Sequence, residues 1–119
     1  IKTLDTQDLS FLQKYGPIDK IPKKELNAIR KLGNDGDINA QFKMWTFYVN
    51  NKGVNKAEAW TWLKQAAGNK HPEANFSLGL LYYYGYIVPE ERRRAMALIS
   101  KASELGFKLA DLFLKIKES

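Results

Sequence analysis

The sequence predicts an all-α chain of stacked, antiparallel helix pairs, and three observations predict it. Apolar residues recur at spacings of three and four along the chain, the period of one buried helix face. No stretch shows the convincing alternation of a half-buried strand. A block of helix, loop and helix is repeated about 34 residues further on. One such pair cannot bury its apolar side alone, so neighbouring pairs must stack.

About seven helices are expected. Leu9, Leu12 and Tyr15 mark a first, closed by Gly16-Pro17, because the residue before a proline is pushed out of helical geometry. Leu26, Ile29 and Leu32 mark a second, opening near Pro22 and closing between Gly33 and Gly36. A third runs from about Ile38 to Asn50 and a fourth from about Lys56 to Ala67. A fifth runs from Pro72 to Gly85, a sixth from Pro89 to Gly106, and a seventh fills the tail from about Lys108. The short loops suit antiparallel neighbours, and no Ser-rich or Pro-rich linker divides the chain.

The repetition is specific. Ala40-Gln41-Phe42-Lys43-Met44 aligns with Ala74-Asn75-Phe76-Ser77-Leu78, Phe47-Tyr48 with Leu81-Tyr82, and Val54 with Val88. Beyond that loop the second copy is two residues longer. Ala59 then aligns with Ala95, Trp62 with Leu98, Leu63 with Ile99, Ala66 with Ala102, and Ala74 with Ala110. Small residues recur where helices must approach closely, among them Ala40, Ala59, Ala66, Gly79, Ala95 and Ala102.

These residues carry a resemblance. Ala74-Asn75-Phe76-Ser77-Leu78-Gly79-Leu80-Leu81-Tyr82, followed by a Gly85-containing loop ending at Val88, resembles the first half of a Sel-one-like repeat. Ala95 to Leu98 and Lys101-Ala102-Ser103-Glu104-Leu105-Gly106 resemble the second half. Lys31 to Asp37 resembles the end of an earlier second helix. The resemblance implies a right-handed α/α superhelical solenoid, similar to tetratricopeptide repeats. It divides a single domain into repeats 40–73 and 74–109, a degenerate unit or cap at 1–39, and a capping helix at 110–119. Trp45 stands where the next copy has Gly79, and Lys70 stands where the next has Gly106. Asn69 is expected to take the left-handed turn in place of that glycine.

Composition narrows the partners. Hydrophobic residues make up 45% and charged residues 27% of 119 positions, the balance of an ordinary globular protein. Lys and Arg number 19 against 13 Asp and Glu, a net charge of +6. That balance favours acidic partners: an acidic protein, a nucleic acid or an anionic membrane. No apolar run reaches the ~18 residues of a membrane span. Cysteine is absent, which excludes disulfides, thiolate metal sites and cysteine nucleophiles. The sequence starts at Ile1, as it would after removal of a leader or excision from a longer chain.

No catalytic constellation is visible. His71 is the only histidine, and general-base catalysis or metal binding needs partners beside it. The carboxylates are scattered, with no pair set across a cleft. Gly33-Asn34-Asp35-Gly36-Asp37 lacks the alternating ligands and terminal Glu of a calcium loop and reads as a helix stop. No enzyme activity, metal or cofactor is expected.

Partner-binding candidates come from the aromatic and basic runs. Adjacent helical residues point about 100° apart, so Tyr82, Tyr83 and Tyr84 cannot all face one core. Tyr82 belongs inside with Leu78 and Leu81, leaving Tyr83 or Tyr84 partly exposed. In solenoids of the kind resembled, the first helix of each unit lines the concave surface. That implies a partner site of Lys43, Thr46 and Asn50 from one repeat and Ser77, Leu80, Tyr83 and Tyr84 from the next. Pro89-Glu90-Glu91-Arg92-Arg93-Arg94 opens the sixth helix, with Glu90 set to pair with Arg94. Arg92 and Arg93 complete the site as a basic rim for an acidic patch. Trp62 lies on the apolar stripe, and Trp60 joins the core.

The resulting expectation is a non-catalytic protein–protein interaction module. The resemblance further implies a bacterial setting, periplasmic or cytoplasmic, as an immunity protein against a secreted toxin or as an adaptor in envelope or secretion. Nucleic-acid binding rests on charge alone. The oligomeric state is left open: exposed solenoid ends could pair, or Leu112, Leu114 and Ile116 could cap the last unit.

Overall fold

A computed structural model describes residues 21–118 of the chain. Among them are six helices and no β-strand: α1 (Lys23–Asn34), α2 (Ile38–Val49), α3 (Lys56–Gly68), α4 (Pro72–Tyr84), α5 (Arg92–Glu104) and α6 (Lys108–Glu118). They match the second to seventh helices expected from the sequence. The expected first, through Leu9, Leu12 and Tyr15, lies outside the described residues. The chain forms two compact units, one ending at Ala66 and the other beginning at Ala67.

In the N-terminal unit the interior holds Met44, Trp45, Phe47, Tyr48, Ala59, Trp62 and Leu63. α1 meets α3 closely: a Cβ on Gly33 would lie 2.9 Å from the Trp62 ring. Arg30 of α1 clamps Glu58 of α3 with bonds of 2.7 and 3.1 Å. The Trp62 indole donates to the same carboxylate at 3.0 Å. The hydrogen bond from Arg30 holds Glu58 below the usual carboxylate range, against the opposing effect of burial. Trp45, at the place of Gly79, is buried with its ring 5.6 Å from Tyr48.

In the C-terminal unit, Ile99, Ala102 and Ala110 form a fully buried centre. Phe76, Leu80, Phe107, Phe113 and Leu114 pack around it. α4 and α5 approach so closely at Gly79 that an added Cβ would lie 2.7 Å from Ile99 Cγ1 and 3.1 Å from the Ala95 carbonyl. Only glycine fits that contact without displacement.

One helix start differs from expectation. α5 begins at Arg92, and Glu91 before it is extended. The Glu91 N–H donates to the Tyr82 carbonyl at 3.0 Å, which ties this segment back to α4 and keeps it from winding. The expected Glu90–Arg94 pair therefore does not form. Arg92 meets Glu90 and Arg94 meets Glu91, each at 3.4 Å.

The same turn links α1 to α2, α3 to α4, and α5 to α6. Its left-handed residue is Gly36 (φ 104°), Lys70 (φ 69°) and Gly106 (φ 94°) in turn. Lys70 itself thus adopts the geometry expected of Asn69, because the register of the turn fixes which residue must bend. In each copy a side chain early in the new helix reaches back eight residues. Gln41 donates to the Gly33 carbonyl at 2.9 Å, and Asn75 donates to the Ala67 carbonyl at 3.0 Å. In the third copy Ser103 Oγ donates to the Asp111 carboxylate. Asp37 caps α2 by accepting from the Ala40 N–H at 2.9 Å, and His71 Nδ1 does so for Ala74 at 3.1 Å. α1 and α6 thereby take the register of a preceding second helix and a following first helix.

A left-handed lysine costs about 1 kcal/mol relative to glycine, and Lys70 is exposed, so nothing packed is lost on replacing it. Lys70→Gly is expected to raise the thermal midpoint by several degrees, and Asn69→Gly to leave it unraised. Scanning calorimetry of the two variants reads the difference.

Burial lowers the pKa of His71 from its ordinary value, with Glu73 pulling weakly the other way. Nδ1 accepts a hydrogen bond, so a proton there would turn an acceptor into a donor facing an N–H. The depressed folded-state pKa means that the stabilisation is present above the ordinary histidine value near 6.5. It is lost as pH falls through the lower folded value. Between pH 7.5 and pH 5, the wild type should lose more stability than His71→Asn, whose side chain can still cap. Equal losses in urea titrations would exclude this titration.

Candidate partner-binding surface

The end of α4 is a run of tyrosines because the helix stops at Gly85, in left-handed geometry with φ 71°. The turn brings Arg92 of α5 back over the last helical residues. The Arg92 guanidinium lies 3.8 Å from the Tyr83 ring centroid, and its Nε donates to the Tyr83 carbonyl at 3.0 Å. Lys117 sits 5.3 Å from the same ring, and Phe113 meets it edge-on at 5.2 Å. Arg94 covers Tyr82 at 4.8 Å. Tyr84 stacks edge-on against Tyr83 at 4.9 Å and lies 6.3 Å from Tyr86.

These contacts sort the expected site residues. Tyr83 is only 9% exposed and serves the packing between α4, α5 and α6, whereas Tyr84 is 39% exposed. The Tyr83 ring is therefore not an open contact surface, because Arg92 and Phe113 cover it. Leu80 packs against the buried centre of Ile99, Ala102 and Ala110, and Ser77 is half-buried. Arg92 is engaged with Tyr83 and Glu90. Arg93 is exposed and has no ion pair among the described residues. In the N-terminal unit, Lys43 is exposed on α2, Thr46 donates to the Lys43 carbonyl at 2.7 Å, and Asn50 ends the helix. The structure thus gathers Tyr82, Tyr83, Tyr84, Tyr86, Arg92 and Arg94 into one aromatic and cationic region of the C-terminal unit, with Arg93 exposed in the same first turn of α5.

The placement of the arginines is informative. Three cations in the first turn of α5 oppose the positive end of the helix dipole, at about 0.3–1 kcal/mol each. Arg92 and Arg94 offset this by covering tyrosine rings, which favours cations electrostatically. Arg93 has no such contact among the described residues. The roles of Arg94, Lys117 and Phe113 were not read from the sequence. Arg94 alone left a signal, as the third member of the arginine run.

No group of His, Cys, Asp or Glu among the described residues is arranged to hold a metal ion. No described helix is long and apolar enough to cross a membrane. No protein-family model matches the sequence. Among solved structures, the chain is similar to a Sel1 repeat protein from Oxalobacter formigenes, with a TM-score of 0.72 and 30% sequence identity. That similarity covers 76% of this chain and 70% of the other.

Truncating the two neighbouring tyrosines should separate packing from surface. Tyr83→Ala is expected to destabilise the fold by about 3 kcal/mol, as for a large buried ring. Tyr84→Ala is expected to cost no more than about 1 kcal/mol. Equilibrium denaturation measures both.

Proposed function

The chain belongs to the Sel-one-like (Sel1) repeat family, and from that membership we propose that its C-terminal unit grips an acidic protein partner through Tyr84, Tyr86 and Arg93. A fold of this kind is a protein–protein interaction module. The observation that carries the finer reading is that Arg93 is exposed in a helix position that disfavours its charge, on the same unit as the exposed Tyr84 and Tyr86. Tyrosine supplies broad contact area at small rotamer cost, and arginine is among the residues that dominate binding energy at interfaces. The net charge of +6 would steer an acidic partner toward this surface. Lys43 and Thr46 on α2, with Asn50 just past its end, offer a second set of contacts on the N-terminal unit.

The proposed action involves no chemistry. The one histidine has its Nδ1 committed to the start of α4, and the carboxylate beside the Trp62 indole is already clamped by Arg30. The role we put first is that of an immunity protein that covers a secreted toxin. The alternative is an adaptor, which needs two separate docking faces.

Capture from the native organism with mass spectrometry tests the reading, followed by titration of the captured partner. The double variant Tyr84→Ala, Arg93→Glu should bind that partner at least about tenfold more weakly, the loss of roughly one hot-spot contact. Unchanged affinity rules this surface out. For the immunity role, a toxin encoded beside this protein should lose its activity when the two are mixed. An undiminished toxin would leave the adaptor role.

A further inference from the structure

The loop between α4 and α5 holds one residue in a conformation that its side chain disfavours. Ile87 has φ 69°, left-handed geometry that is an outlier for a β-branched residue. The preceding copy shows where this geometry comes from. Asn51 and Gly53 align with Gly85 and Ile87, and their φ values of 58° and 91° match 71° and 69°. The bond from the Lys52 N–H to the Phe47 carbonyl at 2.7 Å recurs as the bond from the Tyr86 N–H to the Leu81 carbonyl at 3.0 Å. The two loops therefore begin with the same turn, and the second has isoleucine where the first has glycine. Glycine takes this geometry without steric cost, and Ile87 does not.

The segment after Ile87 is held from its far end. The Glu91 N–H donates to the Tyr82 carbonyl at 3.0 Å. Arg92 Nε donates to the Tyr83 carbonyl at 3.0 Å, and its guanidinium lies 3.8 Å from the centre of the Tyr83 ring. The chain doubles back so tightly that a Cβ on Gly85 would lie 3.2 Å from Glu90 Cβ. Ile87 and Val88 are half-buried, and Pro89, Glu90, Glu91 and Arg92 are exposed. Hydrogen bonds near the surface and one cation–ring contact fix the segment, with little apolar area behind them. Such segments open locally at a fraction of the global unfolding free energy. Strain at Ile87 lowers that cost further, because opening lets the residue return to extended geometry.

We propose that residues 87–92 form a strained strap over Tyr83, which opens as a local unit while the helix pair stays folded. Opening frays α5 by its first residue and lifts Arg92 from the ring. Phe113 and Lys117 of α6 stay in place beside it. Tyr83 is 9% exposed in the closed form and its neighbour Tyr84 is 39% exposed, so the open form offers two adjacent tyrosines where the closed form offers one. The strap lies wholly within the C-terminal unit and does not depend on the partner surface proposed above.

Native-state hydrogen exchange reads the opening at the Glu91 amide. That amide should exchange through a step insensitive to low urea, whereas the amide of the buried Ile99 should follow global unfolding. Ile87→Gly removes the strain and should slow the Glu91 amide about fivefold. The freedom of glycine in the open strap offsets the rest of the gain. Nitration by tetranitromethane, mapped by mass spectrometry, reads the ring. Tyr83 should react more slowly than Tyr84 in the wild type. In Ile87→Gly the Tyr83 rate should fall by about the same factor as the Glu91 exchange, with the Tyr84 rate unchanged. A Glu91 amide that exchanges only with global unfolding would overturn the proposal. So would Glu91 exchange or Tyr83 nitration left unmoved by Ile87→Gly.

Discussion

The helix-to-helix turn depends on a polar contact made inside the protein. A side chain near the start of each first helix reaches back to the last turn of the helix before it. Gln41 and Asn75, both buried, satisfy the carbonyls of Gly33 and Ala67. Those carbonyls lie at helix ends and each also accepts a backbone N–H of the turn, from Gly36 and Lys70 at 3.1 Å, so the side chain supplies a second donor. A buried side-chain amide left without an acceptor costs about 1–3 kcal/mol, a large fraction of a typical folding free energy of about 5–15 kcal/mol. The bond also fixes where the next helix starts. Once that start is fixed, the left-handed residue, the cap and the close approach of small residues such as Ala40, Ala74 and Ala110 fall into place. In the third copy the chemistry is reversed: Ser103 is the donor and Asp111 the acceptor. The geometry persists while the polarity changes, so the constraint lies in the juxtaposition of the two positions.

Much of this was legible in the chain. Apolar spacing located all six described helices, and the repeat of Ala40 to Met44 at Ala74 to Leu78 located the register. The errors have physical causes. Lys70 was passed over because propensity argues against a left-handed lysine, but tertiary register outweighs about 1 kcal/mol of local strain. The start of α5 was set at Pro89 on the strength of a good helix-opening signal. The Glu91 to Tyr82 backbone bond, which no local pattern reveals, holds those residues extended. Tyr83 could not be told from Tyr84 by periodicity alone. Its burial is decided by Arg92, Phe113 and Lys117, which converge on one ring from two other helices.

Function on this scaffold is a matter of which side chains the packing leaves over. Around α4 and α5, tyrosine and arginine hold the unit together, while Tyr84 and Arg93 stay exposed. On α6, Phe113 and Leu114 pack on the Ile99 centre while Leu109 and Leu112 are exposed.

The measurement that bears most directly on this account is the stability of Asn75→Asp, alone and combined with Ala67→Ser. Asn75→Asp keeps the shape but points a carboxylate at the Ala67 and His71 carbonyls, to which the amide now donates at 3.0 and 2.9 Å. The account predicts a loss of at least about 3 kcal/mol, since two buried hydrogen bonds become repulsive. Adding Ala67→Ser installs the donor–acceptor pair of the third copy and should recover a substantial part of that loss. Urea denaturation curves that are unchanged by Asn75→Asp, or a double variant no more stable than the single one, would contradict it.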